Sequence, residues 1–156
     1  HANLTDNYGN WDDAWDEFGF YQFSAINSLP GGSANVVGSG APGNTITLGP
    51  GGDINFCSNC PYGLSINLAG DLAPAPTITA DNIFVMGGNI GALSAFASGG
   101  STQSFFAGGT APQNSGRTTT TTTGGGGGGP VSWQCTIPSV PENTYTQTIT
   151  WALTNP

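Results

Sequence analysis

The sequence predicts an all-β protein: a single antiparallel β-sandwich, Ig-like or jelly-roll-like, with an aromatic-rich N-terminal arm. Three observations predict it. The last stretch alternates, with Tyr145, Gln147, Ile149, Trp151 and Leu153 on one parity and Thr144, Thr146, Thr148, Thr150, Ala152 and Thr154 on the other. Successive side chains of a strand point to opposite faces, so this is an apolar face backed by threonine. Val131-Ser-Trp-Gln-Cys-Thr-Ile137 repeats the arrangement, with Val131, Trp133, Cys135 and Ile137 against Ser132, Gln134 and Thr136. Between residues 27 and 106, short β-like runs are cut by Gly, Pro and Asn at about 8–12-residue intervals, the spacing of a sandwich or barrel.

The arm, residues 1–26, is unlike the rest. Up to Phe23 it holds five of the nine acids (Asp6, Asp12, Asp13, Asp16, Glu17) and the aromatics Tyr8, Trp11, Trp15, Phe18, Phe20, Tyr21 and Phe23. Trp11, Trp15 and Phe18 are spaced i, i+4, i+7, which predicts one face of a short helix. From Phe18 to Ile26 the pattern becomes strand-like. Trp11, Trp15, Phe18, Phe20 and Phe23 are the candidate anchors for docking on another subunit, with packing on the arm's own domain as the other reading.

The body, residues 27–156, should hold strands at Asn44–Leu48, Asp53–Phe56, Tyr62–Leu68, Pro76–Ala80, Asn82–Met86, Ala92–Ala97 and Ser101–Ala107. Ile83-Phe84-Val85-Met86 is apolar on both parities, so its strand should be central or covered twice. The phrases Gly51-Gly-Asp-Ile-Asn and Gly87-Gly-Asn-Ile-Gly leave a parallel β-solenoid as the alternative fold. Residues 108–130, with Thr118 to Thr123 followed by Gly124 to Gly129, read as an exposed flexible loop. The turn-forming run Pro138-Ser-Val-Pro-Glu-Asn143 then separates Val131–Ile137 from Thr144–Thr154. These two are expected to pair antiparallel, with Trp133, Tyr145, Ile149, Trp151 and Leu153 facing the core.

Tyr145, then Ile149-Thr150-Trp151-Ala152-Leu153 and Pro156, resembles the distal motif of the WxL domains of bacterial cell-surface proteins. More broadly it resembles the closing strand of secreted β-sandwich surface and fibre (pilus-like) subunits. The match covers roughly the last dozen residues. Trp11, Trp15 and Trp133 are followed by Asp-Asp, Asp-Glu and Gln-Cys, so the upstream Trp-x-Leu is missing and peptidoglycan binding is not carried over. The resemblance implies a secreted β-sandwich exposed on a cell surface or built into a fibre.

Composition narrows the partners. Charged residues make up 6% of the chain, against ~25% in an average domain. Arg117 is the only cation, there is no Lys, and the formal net charge is −8. Nucleic acid is excluded, because nothing can neutralise phosphates. Anionic membrane surfaces are disfavoured on the same ground, and no apolar run approaches the ~20 residues that span a bilayer. A surface so poor in charge suits association with other copies of itself. A start at His1 is expected to follow signal-peptide removal, placing the protein outside the cell. Asn3-Leu-Thr5 is an N-glycosylation sequon, and Thr118, Thr119 and Thr120 are candidates for O-linked sugar.

Catalytic and metal chemistry find little material. His1 is the only histidine, so a two-histidine copper site lacks its second imidazole, and a Ser-His-Asp or Cys-His site would have to use a terminal residue. Zinc on Cys57 and Cys60 would need two further ligands, and only Cys135 and His1 remain. Asp6 to Glu17 has the length of a calcium loop with acids at positions 1, 7 and 12. Tyr8 at position 3 and Trp11 at the glycine position break that pattern. No cofactor is therefore expected, structural calcium being the alternative, and no enzyme activity. A Cys57–Cys60 disulfide with Cys135 a buried free thiol is expected, in an oxidising compartment; Cys135 bridging to one of the pair is the alternative.

The function expected is a structural subunit of an extracellular filament or surface layer, a homopolymer held by strand pairing and aromatic docking. The alternative is a monomeric secreted carbohydrate-binding or adhesin module using cell-surface glycans. Aromatic rings exposed in a shallow groove would favour the binder. A terminus without contacts to its own domain would favour the subunit.

Overall fold

The computed structural model describes residues 2–5, 11–14, 24–33, 35–58, 61–88, 90–109, 120–121 and 130–154, with backbone only for 2–5, 11–14, 106–109 and 120–121. The described chain is mostly strand. In order these are β1 (Ala2–Thr5), β2 (Trp11–Ala14), β3 (Ser24–Ser28), β4 (Thr45–Gly52), β5 (Asn55–Ser58), β6 (Tyr62–Leu68), β7 (Ile83–Gly87), β8 (Ile90–Ala95), β9 (Ser101–Gly109), β10 (Thr120–Thr121), β11 (Val131–Thr136) and β12 (Ile149–Thr154). Short 3₁₀ turns at Pro30–Gly32 and Ala80–Asn82 are the only helical elements described.

Two sheets form the sandwich. One runs β4-β11-β7-β8 and the other β12-β6-β9; β10-β5-β3 and β1-β2 are separate, smaller sheets. Every described strand pair is antiparallel, which rules out the parallel solenoid. β6 shows why the pattern works. Tyr62, Leu64, Ile66 and Leu68 are buried, while Gly63, Ser65 and Asn67 are half-buried on the other face. Each such aliphatic side chain contributes roughly 1.5–3 kcal/mol when fully buried. β7 sits inside its sheet between β11 and β8, with Ile83 and Val85 buried and Phe84 and Met86 half-covered, in keeping with its doubly apolar sequence.

The expected C-terminal pair is not a pair. β11 lies between β4 and β7, with Trp133 opposite Leu48 on one side and Val85 on the other. β12 pairs instead with β6, Trp151 opposite Ile66, in the other sheet. The physical reason is that two strands with one apolar parity each can bury those faces by facing one another across a sandwich, as well as by lying side by side. The connection 137–148 therefore crosses from sheet to sheet. The two indoles meet between the sheets, where Phe105 of β9 lies edge-on to Trp151 and Phe96 stacks on Trp133.

Four other expectations change. Trp11–Ala14 forms a strand against Ala2–Thr5 rather than the start of a helix; a helix of barely two turns is marginal alone, because nucleation is costly. Pro76–Ala80 yields one bridge, Ile78 to Leu72, before the 3₁₀ turn. Within the loop 108–130, β9 extends to Gly109 and Thr120–Thr121 pair with β5.

The fourth concerns the cysteines. Cys57 lies inside β5, buried and unbridged, rather than in a loop closed on Cys60. Cys60 lies outside the described residues. Cys135 is a buried free thiol.

Candidate assembly surface

The sandwich is closed on one side and open on the other. On the closed side, β8 leads through Phe96–Gly100 into β9 and so joins the two sheets. Gln103 Nε2 donates to the Ala95 carbonyl at 2.8 Å, and the Phe96 N–H donates to the Ile83 carbonyl at 3.1 Å. Asp71 braces the same end. Its Oδ1 accepts the N–H groups of Gly99 and Ala80, both at 2.8 Å, and those two backbone donors hold its carboxyl below the usual aspartate range. Gln147 Nε2 donates to the Asp71 carbonyl at 2.8 Å, tying the approach to β12 onto the same residue.

On the open side, β4 and β12 are the edges of their sheets, and a groove of about 920 Å³ runs between them. Its floor is apolar: Ile46 and Leu48 from β4, Leu68 from β6, Ile83 from β7, Cys135 from β11 and Ile149 from β12. Residues 35–42 form one rim and residues 140–147 the other. The first rim is held at Val37, whose N–H and carbonyl bond to Gly49, and its glycines let it lie close. A Cβ on Gly40 would come within 2.6 Å of Ile46 Cγ2 and 3.1 Å of Ile137 Cδ1. The second rim is stiffened by Tyr145, whose hydroxyl donates to the Pro141 carbonyl at 2.8 Å. Glu142 is the only carboxylate in the lining, which contains no cation. Burial pushes the Cys135 thiol pKa up, leaving it a neutral apolar wall.

The structure distributes the sequence candidates unevenly. Trp133 is 1% exposed, and Tyr145, Ile149, Trp151 and Leu153 are half-buried against the same core. Tyr145 and Ile149 also line the groove, so they serve both the core and its opening. Of the docking anchors, Trp11 lies in β2, whereas Trp15, Phe18, Phe20 and Phe23 lie outside the described residues. The same is true of Cys60, Thr118 and Thr119; Asn3 falls in β1 and Thr120 in β10. β1 and β2 hydrogen-bond as strands to each other and to no other described strand. With Cys57 and Cys135 unbridged, the cysteines do not supply the expected mark of an oxidising compartment.

Sequence reasoning missed Asp71 and the rim at 35–42. Asp71 sits in a turn with no motif around it, and its partners are backbone groups 9 and 28 residues away. Residues 35–42 carry no strand pattern, and only the facing Ile46 and Ile137 show why the glycines there matter. Compared with family models, curated proteins and solved structures, the chain matches none.

Proposed function

We propose that this protein is a structural subunit of an extracellular filament or surface layer, assembled from copies of itself by strand pairing and aromatic docking. The observation that supports the reading is the β1–β2 hairpin, which pairs with no other strand among the described residues. A lone two-stranded hairpin is marginally stable in water at best, so its pairing capacity is left for another molecule. The open edges of β4 and β12 support the same reading, since an edge strand presents unpaired backbone groups to any incoming strand. With one Arg and no Lys, few ion pairs can form between copies, which leaves apolar burial and backbone pairing as the available adhesives against the repulsion of a net charge of −8.

A carbohydrate-binding module is less well supported. Among residues with described side chains, no Phe, Tyr or Trp is exposed, so the stacking platform that sugar recognition needs is not among them. The test is a chain beginning at Ser24, compared with the full chain by light scattering and electron microscopy. The full chain is expected to form filaments or sheets and the shortened one to remain monomeric. Filaments of unchanged form from the shortened chain, or a full chain that stays monomeric at high concentration, would refute the reading.

A further inference from the structure

We infer that the groove between β4 and β12 is the acceptor for residues 18–23 of a second copy of this chain, entering as an extended strand. The inference rests on the filament reading above and names the surface through which the copies join.

The groove is built for a strand. Its walls are residues 35–42, bridged to the β4 edge at Gly49 by Val37, and residues 140–147, which lead into β12 at Ile149. A strand laid between them meets an apolar floor, with alternate side chains directed into it as in strand addition. Six residues span about 20 Å when extended, a usual strand length.

The chemistry selects the occupant. The floor offers no cation, and Glu142 stands on the rim, so an acidic segment is repelled and a neutral aromatic one is favoured. Of the aromatic residues with neither backbone nor side chain described, all but Tyr8 lie from Trp15 to Phe23. Within that stretch Asp16 and Glu17 precede Phe18-Gly-Phe-Tyr-Gln-Phe23, which carries no charge. The neutral run lies directly before β3, and the acids fall on the far side of it, where they stay in water.

The test uses the full chain in a Cys57→Ala, Cys60→Ala background, leaving Cys135 on the groove floor as the native thiol. Single substitutions Gly19→Cys, Phe20→Cys, Tyr21→Cys and Gln22→Cys are each assembled from an equal mixture of ¹⁴N- and ¹⁵N-labelled chains, oxidised, and mapped by mass spectrometry. A second set replaces Thr144 on the exposed rim by cysteine with Cys135→Ala, so that a poorly reachable floor thiol does not decide the result. Expected are disulfide-linked peptides carrying one label of each kind, with a yield that rises and falls with a period of two along positions 19–22, as a strand requires. Peptides linked only within one label would place the segment in its own groove and overturn the inference. Filaments forming without any cross-link to either position would put the acceptor elsewhere while leaving the filament reading standing. A full chain that never assembles would overturn both.

Discussion

Trp133 and Trp151 meet edge to face, ring centroids 6.4 Å apart and planes at 88°, although their strands belong to opposite sheets. The contact closes the sandwich at its centre, and the two residues should differ in what their loss costs. Trp133 is 1% exposed, so Trp133→Ala is expected to cost about 3–5 kcal/mol. The half-buried Trp151 should cost less on truncation. A double-mutant cycle should return a coupling of about 0.5–1.5 kcal/mol, the range for aromatic pairs. Urea unfolding of the four proteins measures all three. A coupling of zero would mean that the rings are neighbours without interacting.

Asp71 predicts an acid limb. Its folded pKa lies below the ordinary value because two backbone N–H groups bind the charged form. The stability from that preference is present above the unfolded pKa of about 3.9 and is lost as pH falls through the folded pKa. Asp71→Asn keeps an acceptor oxygen but removes the charge. Thermal melts between pH 2 and 6 on the order of half a unit apart should show a flatter acid decline in the variant than in the parent. Identical slopes would assign the acid sensitivity to other carboxylates.

Cys135 predicts the opposite limb. Its thiol pKa is raised by burial, so the unfolded chain loses that proton at lower pH than the folded one. The associated stability is complete below the unfolded thiol pKa of about 8.5 and is lost as pH rises through the folded value. Cys135→Ala should remove that part of the alkaline decline. In the parent protein, Cys57 should resist alkylation until the chain unfolds, since it is buried and unbridged. A disulfide-linked peptide containing Cys135 from freshly purified, unassembled protein would contradict the structure.

Gly88 predicts a backbone failure. It turns β7 toward β8 at φ +55°, and a Cβ there would stand 2.6 Å from the Phe105 carbonyl oxygen and 2.7 Å from its ring. Phe105 is fully buried and cannot withdraw. Gly88→Ala therefore combines a strained φ with a clash, costing at least about 1–3 kcal/mol for each of the two, and should lower the melting temperature by tens of degrees or prevent folding. Gly43→Ala is the control, because at φ +84° it is strained in the same sense but has nothing within 4 Å.

Much of the fold was legible because alternation is a local signal. Tyr62 to Leu68 and Val131 to Cys135 announce their buried faces without reference to anything else in the chain. Which strand lies beside which is not local. The parity of Trp133 and Trp151 says that both point inward, and it is equally satisfied by neighbours in one sheet or by partners across two. Cys57 misled for a similar reason, since a Cys-x-x-Cys spacing followed by proline suggests a loop, while the pairing of Asn55–Ser58 with β3 and β10 makes it a strand. The groove was illegible altogether. It depends on residues 35–42 and 140–147 approaching the same floor, and neither segment carries a pattern that names the other.

The placement of β11 and β12 also sets when this protein can fold. Trp133 sits opposite Leu48 and Trp151 opposite Ile66, each pair 85 positions apart (133 minus 48, and 151 minus 66). β11 is an interior strand of one sheet and β12 completes the other, so neither sheet is finished until residues 131–154 have emerged from the ribosome. Contacts this distant in sequence slow folding, because the loop-closure entropy must be met before the contacts can form. The nascent polypeptide is thus held back from its final shape until those residues are made, which keeps its first 130 residues pliable for longer than the same stretch built from sequential hairpins.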